Sequence, residues 1–382
     1  MTLDRYGIWL CALLACFLCE CGSKEQSGET ADKNTAQEDI VQEREDVSAN
    51  MRSFAGEAKS FHCVAVSADA RLLAAGAGTN ELRDSPGSGS GQIWLWDLRT
   101  GAVKSILRGH KEIVTSVAFS PDSRLLLSAA QDATVRLWSL KTAKELRSIG
   151  EHTHPVLAVS FMPDGKRVLV ASGDPLPVGG SAPADPIQVN LYDLETGRLL
   201  KEFGRHRLPV KNIAITADGR VLATATGWAH IWDVETGTRK ATFKQPGVIE
   251  SVALSPDGKL LLTGNYYGIV TLRNLEAGTC EHVAMHTSKE TGEHFEEVSA
   301  VAISADGMWG ASGGWSKRVC VWQLSADTFH YWDLEHWVSD IAFSPVSNHV
   351  YASCWSGRVV ELIPPDKKDG GKTSEQPPER DK

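Results

Sequence analysis

The 382-residue sequence contains no large block of lysine and arginine, and its formal net charge is -9. Nucleic-acid binding rests on a clustered basic footprint, so no nucleic-acid partner is expected. No apolar run reaches the ~20 residues that a membrane-spanning helix needs. Beyond the N-terminus, nothing reads as a long amphipathic helix. The eight cysteines form no disulfide framework: Cys11, Cys16, Cys19 and Cys21 fall near the start, and Cys63, Cys280, Cys320 and Cys354 are scattered through apolar, strand-like stretches. Small buried hydrophobes explain the second group. Cys16, Cys19 and Cys21 have no second Cys/His pair with which to complete a metal site. "GAG" (76–78) and "GSGSG" (87–91) are followed by neither the helix nor the lysine of a phosphate loop. No cofactor, metal or catalytic constellation is therefore expected.

What is present begins with an uncharged apolar run, "GIWLCALLACFLC" (7–19), of the length of a secretory h-region. Residues 22–50 are polar and acid-rich, without Trp, Phe, Tyr or Leu, and read as a disordered linker. An export signal, a cysteine and a polar tether together resemble a bacterial lipoprotein leader. "LLAC" (13–16) supplies the leucine and small residue of a lipobox ahead of Cys16, although Leu14 is a less usual second residue. "CGSK" from Cys21 resembles a mature lipoprotein start, but Glu20 is a poor residue before a cleavage site. The resemblance thus implies export and lipid attachment at Cys16 or Cys21, the only membrane contact expected.

The body is repetitive. "CVAVSADA" (63–70), "SVAFSPDS" (116–123), "AVSFMPDG" (158–165), "NIAITADG" (212–219), "SVALSPDG" (251–258), "AVAISADG" (300–307) and "DIAFSPVS" (340–347) are seven copies of one phrase. They recur at spacings of 53, 42, 54, 39, 49 and 40 residues. Each copy is an alternating apolar strand running into an Asp-containing turn, where Asp bonds nearby backbone and Gly tolerates positive φ. Second, third and fourth strands follow, as in "RLLLSAA" (124–130), "TVRLWSL" (134–140) and "AVKSIL" (102–107). The unit is a four-stranded antiparallel sheet.

With "WLWDLRTG" (94–101), "RLWSLKTA" (136–143), "NLYDLETG" (190–197), "HIWDVETG" (230–237) and "RGH" (108–110), the sequence resembles the WD-repeat β-propellers over residues 52–363. The resemblance implies an all-β, seven-bladed propeller of four-stranded antiparallel blades. It also implies a packing tetrad, most complete in the second blade at His110, Ser128, Asp132 and Trp138 and partial at His206, Thr224 and Trp232. A His–Ser–Asp set invites a hydrolase reading, but here it falls at the family's packing positions. The last unit stops after three strands, at Ile363. Residues around 52–54 align with a fourth-strand position ahead of the first complete sheet, and closure by that strand is expected. The expected domains are a leader (1–21), a linker (22–50), a propeller (51–363) and a disordered tail (364–382).

Function is expected on one face. Three insertions, 76–92, 172–188 and 285–297, map to the same side of the propeller. Seven residues before the third-strand tryptophan position stand Tyr266, Trp315 and Trp355, with Trp228 in the shorter turn of the fourth blade. An aromatic patch where turns are usually polar points to a contact surface. His282, His286 and His294, among Glu290, Glu293, Glu296 and Glu297, could hold a metal, but their spacing matches no defined site and a solvated loop is expected. The first strands read as uniformly apolar with small residues, which disfavours a ligand in the central channel. The reading is a non-catalytic, monomeric scaffold with a protein or peptide partner, exported and tethered. A cytoplasmic scaffold, and an extracytoplasmic enzyme or sensor using the channel, are the alternatives.

Overall fold

The structure is a computed structural model that describes residues 50–78, 91–173, 187–206, 208–286, 296–325 and 328–365. The leader with Cys16 and Cys21, the linker up to residue 49, the tail from residue 366 and most of each insertion lie outside these residues. The described strands form seven antiparallel sheets of four strands each, the blades of a propeller.

Local chemistry explains each blade. In the second, Ser120 Oγ donates to Asp122 Oδ1 (2.6 Å) and accepts the Leu125 N–H (2.9 Å), pinning the turn between the first two strands. The clasp recurs at Ser67–Asp69, Thr216–Asp218, Ser255–Asp257 and Ser304–Asp306. The repeated S-P-D-G phrase is thus turn chemistry. The opposite turn, between third and fourth strands, uses the Asp of the Trp-Asp pair. Asp97 Oδ1 accepts the Thr100 N–H (2.8 Å), and Gly101 follows at φ 76°. Asp193 with Thr196 and Asp233 with Thr236 repeat it, at 2.7 and 2.8 Å.

The buried core is divided into seven apolar clusters, each bridging two successive blades. Side chains leave a strand on alternating faces, so each blade offers one set to each neighbour. Along the inner wall, polar residues of the first strands tie blades together. Ser116 Oγ accepts the Val159 N–H (3.2 Å), Ser251 Oγ the Val301 N–H (3.1 Å) and Asp340 Oδ2 the Val64 N–H (2.9 Å).

Closure follows the expected route. Met51–Ala55 pairs antiparallel with Arg358–Leu362, from Met51 opposite Leu362 to Ala55 opposite Arg358. Phe54 is fully buried and packs edge-on to Trp96 of the first blade and near Tyr351 of the last. Arg52 Nη1 donates to the Leu98 carbonyl (2.7 Å). One short strand therefore completes the seventh blade and seals its seam with the first.

Candidate interaction face at the channel mouth

Four residues that lead into the turn between second and third strands share one backbone bond. Gln131 N–H reaches Ile113 O, Tyr266 N–H reaches Val248 O, Trp315 N–H reaches Glu297 O and Trp355 N–H reaches Trp337 O, at 2.9–3.2 Å. The turn tip is thereby held against the segment entering its own blade's first strand. Gly314 permits the approach in blade six, because a Cβ there would sit 1.9 Å from Glu297 O.

This geometry lifts the aromatic rings outward. Trp228, Tyr266, Trp315 and Trp355 are 46%, 55%, 42% and 43% exposed, against 5% for the third-strand Trp322. They do not form one patch. Trp315 stacks on Trp337, with ring centroids 5.3 Å apart and planes at 17°. Trp337 meets Trp355 edge-on at 5.7 Å, and Trp355 meets His62 at 5.6 Å. This string crosses blades six, seven and one. Tyr266 instead pairs with Tyr267 (5.9 Å), and Trp228 lies under the Lys244 ammonium (4.3 Å). The two belong to a second exposed group on blades four and five, with Leu208 and Val248. Trp337, which links the string, was missed by sequence reasoning. Its signal was its place just ahead of the seventh first strand, opposite the turn tip.

Inside the string lies the mouth of the central channel, a cavity of 330 Å³ rimmed by Trp315 and Trp355 and lined by His62, Thr115, Lys211, Glu297 and Ser339 among others. The expectation of uniformly apolar first strands is corrected here: polar residues stand at their starts, where the strands splay toward solvent. Lys211 Nζ is ion-paired with the buried Glu250. Burial, reinforced by the Glu250 charge and opposed by Lys211, pushes the Glu297 carboxyl up to about 7. Burial also pushes Asp340 up to about 6, against hydrogen bonds from the Val64 and Ile341 amides. His62 is held below the usual imidazole range by burial, partly offset by its bond to the Gly78 carbonyl.

The described ends of the insertions are tied to segments at or just ahead of first strands. Gly78 is bonded to His62, and Gly173 donates to Pro155 O. Glu296 N–H donates to the His286 carbonyl.

The tetrad of blade two is buried packing. Trp138 Nε1 donates to Ser128 Oγ (2.8 Å), so the Ser128 hydroxyl is free to donate to His110 Nε2 (2.7 Å). His110 Nδ1–H then faces Asp132 Oδ2 (3.2 Å). Burial raises the Asp132 pKa, but bonds from His110, Thr134 and the Lys111 amide outweigh it and hold the carboxyl at about 2. Ser128 is fully buried, with its oxygen committed on both sides, so no substrate reaches it.

His286 requires a correction. It is not in a solvated loop. It is 1% exposed, with Nε2 bonded to Ser312 Oγ (2.8 Å) and Nδ1 to Ser316 Oγ (2.7 Å). It is blade six's counterpart of His110, and burial pushes it down to about 4. His294, Glu290 and Glu293 lie outside the described residues, as does the side chain of His282. Among the described residues no cluster of His, Cys, Asp and Glu could hold a metal. In blade four, Trp232 Nε1 donates to Thr224 Oγ1 (3.1 Å), while His206 lies against the Trp232 ring with its buried Nε2 unbonded among the described residues.

Seven four-stranded blades make this a seven-bladed β-propeller, and its His–Ser–Trp packing and Asp-x-x-Thr-Gly turns are similar to those of WD repeats. A family model described as "WD domain, G-beta repeat" matches residues 101–139, 143–175 and 286–323. Each match starts at or near the outer strand of one blade and runs into the next, and the third begins at His286. The chain is similar to "WD repeat-containing protein SL1-17" of Schistosoma mansoni, 30% identical over 140 residues, 36% of this chain and 44% of that one. "Periodic tryptophan protein 2" of Arabidopsis thaliana is 26% identical over 289 residues, 69% of this chain and 29% of that protein. "Protein ROOT INITIATION DEFECTIVE 3" of Arabidopsis thaliana is 25% identical over 242 residues, 61% and 44% of the two chains. The chain spans less than half the length of these relatives.

Proposed function

We propose that the protein is a non-catalytic interaction propeller that holds a protein or peptide partner on the face around the channel mouth. The observation that carries this reading is the Trp315–Trp337–Trp355 string, three large rings exposed side by side at the rim of a cavity. A contiguous exposed aromatic patch marks a contact site, and tryptophan is favoured at binding hot spots. Cross-linking in the native cell, with mass spectrometry of wild type against a Trp315→Ala/Trp355→Ala variant, tests it. Loss of specific partners is expected, with the melting temperature lowered by no more than a few degrees. Identical partner sets would overturn it.

The propeller is further proposed to act outside the cytoplasm, tethered by lipid at Cys16 or Cys21. The support is the apolar run of residues 7–19 followed by the polar linker. Radiolabelled palmitate should be incorporated into the wild type and lost on Cys16→Ser or Cys21→Ser. Absence of label, with the chain in the cytoplasmic fraction, would favour a cytoplasmic scaffold.

A further inference from the structure

The rim of the channel mouth is aromatic, and its floor carries charge. Glu297 lines it, Glu250 is tied to the lining Lys211, and Asp340 follows the lining Ser339; the three carboxylates differ in what they have left to accept. Glu250 is committed to Lys211. Asp340 accepts the Val64 and Ile341 amides, at 2.9 Å each. Glu297 lines the cavity beside Trp315, and its carboxylate, unlike its backbone carbonyl, accepts no hydrogen bond and makes no ion pair among the described residues. The only cation among the described lining residues, Lys211, already has its partner. A cavity of 330 Å³ admits a side chain and not a domain.

We propose that this mouth receives a basic side chain, the arginine or lysine of a partner segment, with its cationic head against Glu297 and its stem on the Trp315–Trp337–Trp355 string. The proposal rests on the reading of this face as the partner surface and names the chemistry the partner brings. Charge complementarity selects the occupant. An acidic or phosphorylated segment would meet Glu297, with the lining lysine already paired to Glu250. A neutral apolar segment would strip water from Glu297 and supply no donor, which is costly for a carboxylate. A cation supplies the donor and is drawn to indole faces, whose quadrupoles present negative charge. Arginine and lysine stems also cover apolar surface while their heads stay polar.

Protein labelled with ¹⁵N at the tryptophan indoles gives one signal per ring, assigned by single Trp→Phe variants. Three acetylated, amidated tripeptides serve as probes: Ala-Arg-Ala, its isosteric neutral citrulline analogue, and Ala-Glu-Ala. At about 10 mM probe, matched to the millimolar affinity of a single side chain, the arginine peptide should shift the Trp315, Trp337 and Trp355 signals. The Trp322 and Trp138 signals should stay fixed. Citrulline and glutamate peptides should shift none of them, and Glu297→Gln should weaken the arginine response by about tenfold. Equal shifts from the citrulline peptide, or none from the arginine peptide, overturn the proposal. If Trp315→Ala/Trp355→Ala still abolishes partner cross-linking in that case, the face stands and the cation does not.

Discussion

Trp315 and Trp337 enter the fold from different blades and lie plane against plane, 5.3 Å between centroids at 17°. Trp337 is also tied by its carbonyl to the Trp355 amide. The stack therefore links the turn of blade six to the entry of blade seven at the surface, where the inter-blade cores no longer reach. A rim built this way is preorganised, and a partner ordering itself against it pays little further entropy on this side.

The two tryptophans of "SGGWSKRVCVW" should behave oppositely. Trp322 is 5% exposed and sits in the seam between blades five and six. Trp322→Ala should cost about 3–5 kcal/mol in urea unfolding. Trp315→Ala should cost about 1 kcal/mol or less, since it removes one stacked surface pair. Equal costs would mean that Trp315 is core.

The closing strand should be indispensable. A chain beginning at Lys59 lacks the five paired residues Met51–Ala55 and the buried Phe54. It should aggregate or melt at least about 10 °C below a chain beginning at Asn50. Phe54→Ala in the full chain should alone cost about 3–5 kcal/mol. Matching melting temperatures for the two lengths would show that the ring holds without this strand.

The two serine-centred networks offer a paired test. Ser128→Ala strands both Trp138 Nε1 and His110 Nε2, whereas Ser312→Ala strands His286 Nε2 and loses a weak contact to the Cys320 thiol, because Trp322 Nε1 has no partner among the described residues. Each buried group left unpaired costs about 1–3 kcal/mol. Chemical denaturation should therefore show the blade-two variant losing roughly twice as much stability as the blade-six variant. The reverse order would contradict the hydrogen-bond assignment.

Glu297 gives a pH signature. Its pKa is raised from 4.5 to about 7 by burial and by Glu250, with Lys211 opposing and His62 lining the same mouth. The folded chain thus holds this proton while the unfolded chain has lost it, so the site costs stability as pH rises from 4.5 through 7. Glu297→Gln removes that cost. Its melting temperature should match wild type at pH 4.5 and exceed it by about 2 °C at pH 8. A variant that loses stability at pH 8 would instead mean that the carboxylate is satisfied in the fold.

The repeat was legible because it is local chemistry. The Ser-x-Asp clasp, the Asp-x-x-Thr-Gly turn and the alternating strands are each written within a few residues, and seven copies reinforce one another. The closing strand was legible by register. The blade-two tetrad stood at its expected spacing. His286 was obscured because Met285, not glycine, precedes it and an acidic insertion follows it. The Trp337 link was hidden for another reason: a stack between blades pairs residues 22 positions apart through two different turns, and no single-repeat pattern records it. The polar channel mouth was overlooked because Lys211 and Glu297 lie ahead of their first strands and not within them. Trp228 and Tyr266 looked equivalent to Trp315 in sequence, yet ring contacts set them apart.

Ring closure also bears on assembly. Val64 and Asp340, which bond across the last seam, are 276 residues apart in the chain. A polypeptide emerging from the ribosome exposes Met51–Ala55 first and supplies its partner strand, Arg358–Leu362, last. Six blades can form from consecutive segments as they appear, while the earliest strand waits with an unpaired edge until synthesis is nearly complete. The segment that finishes the propeller is thus the first made and the last to find its partner, and until then its unpaired edge is open to pairing elsewhere.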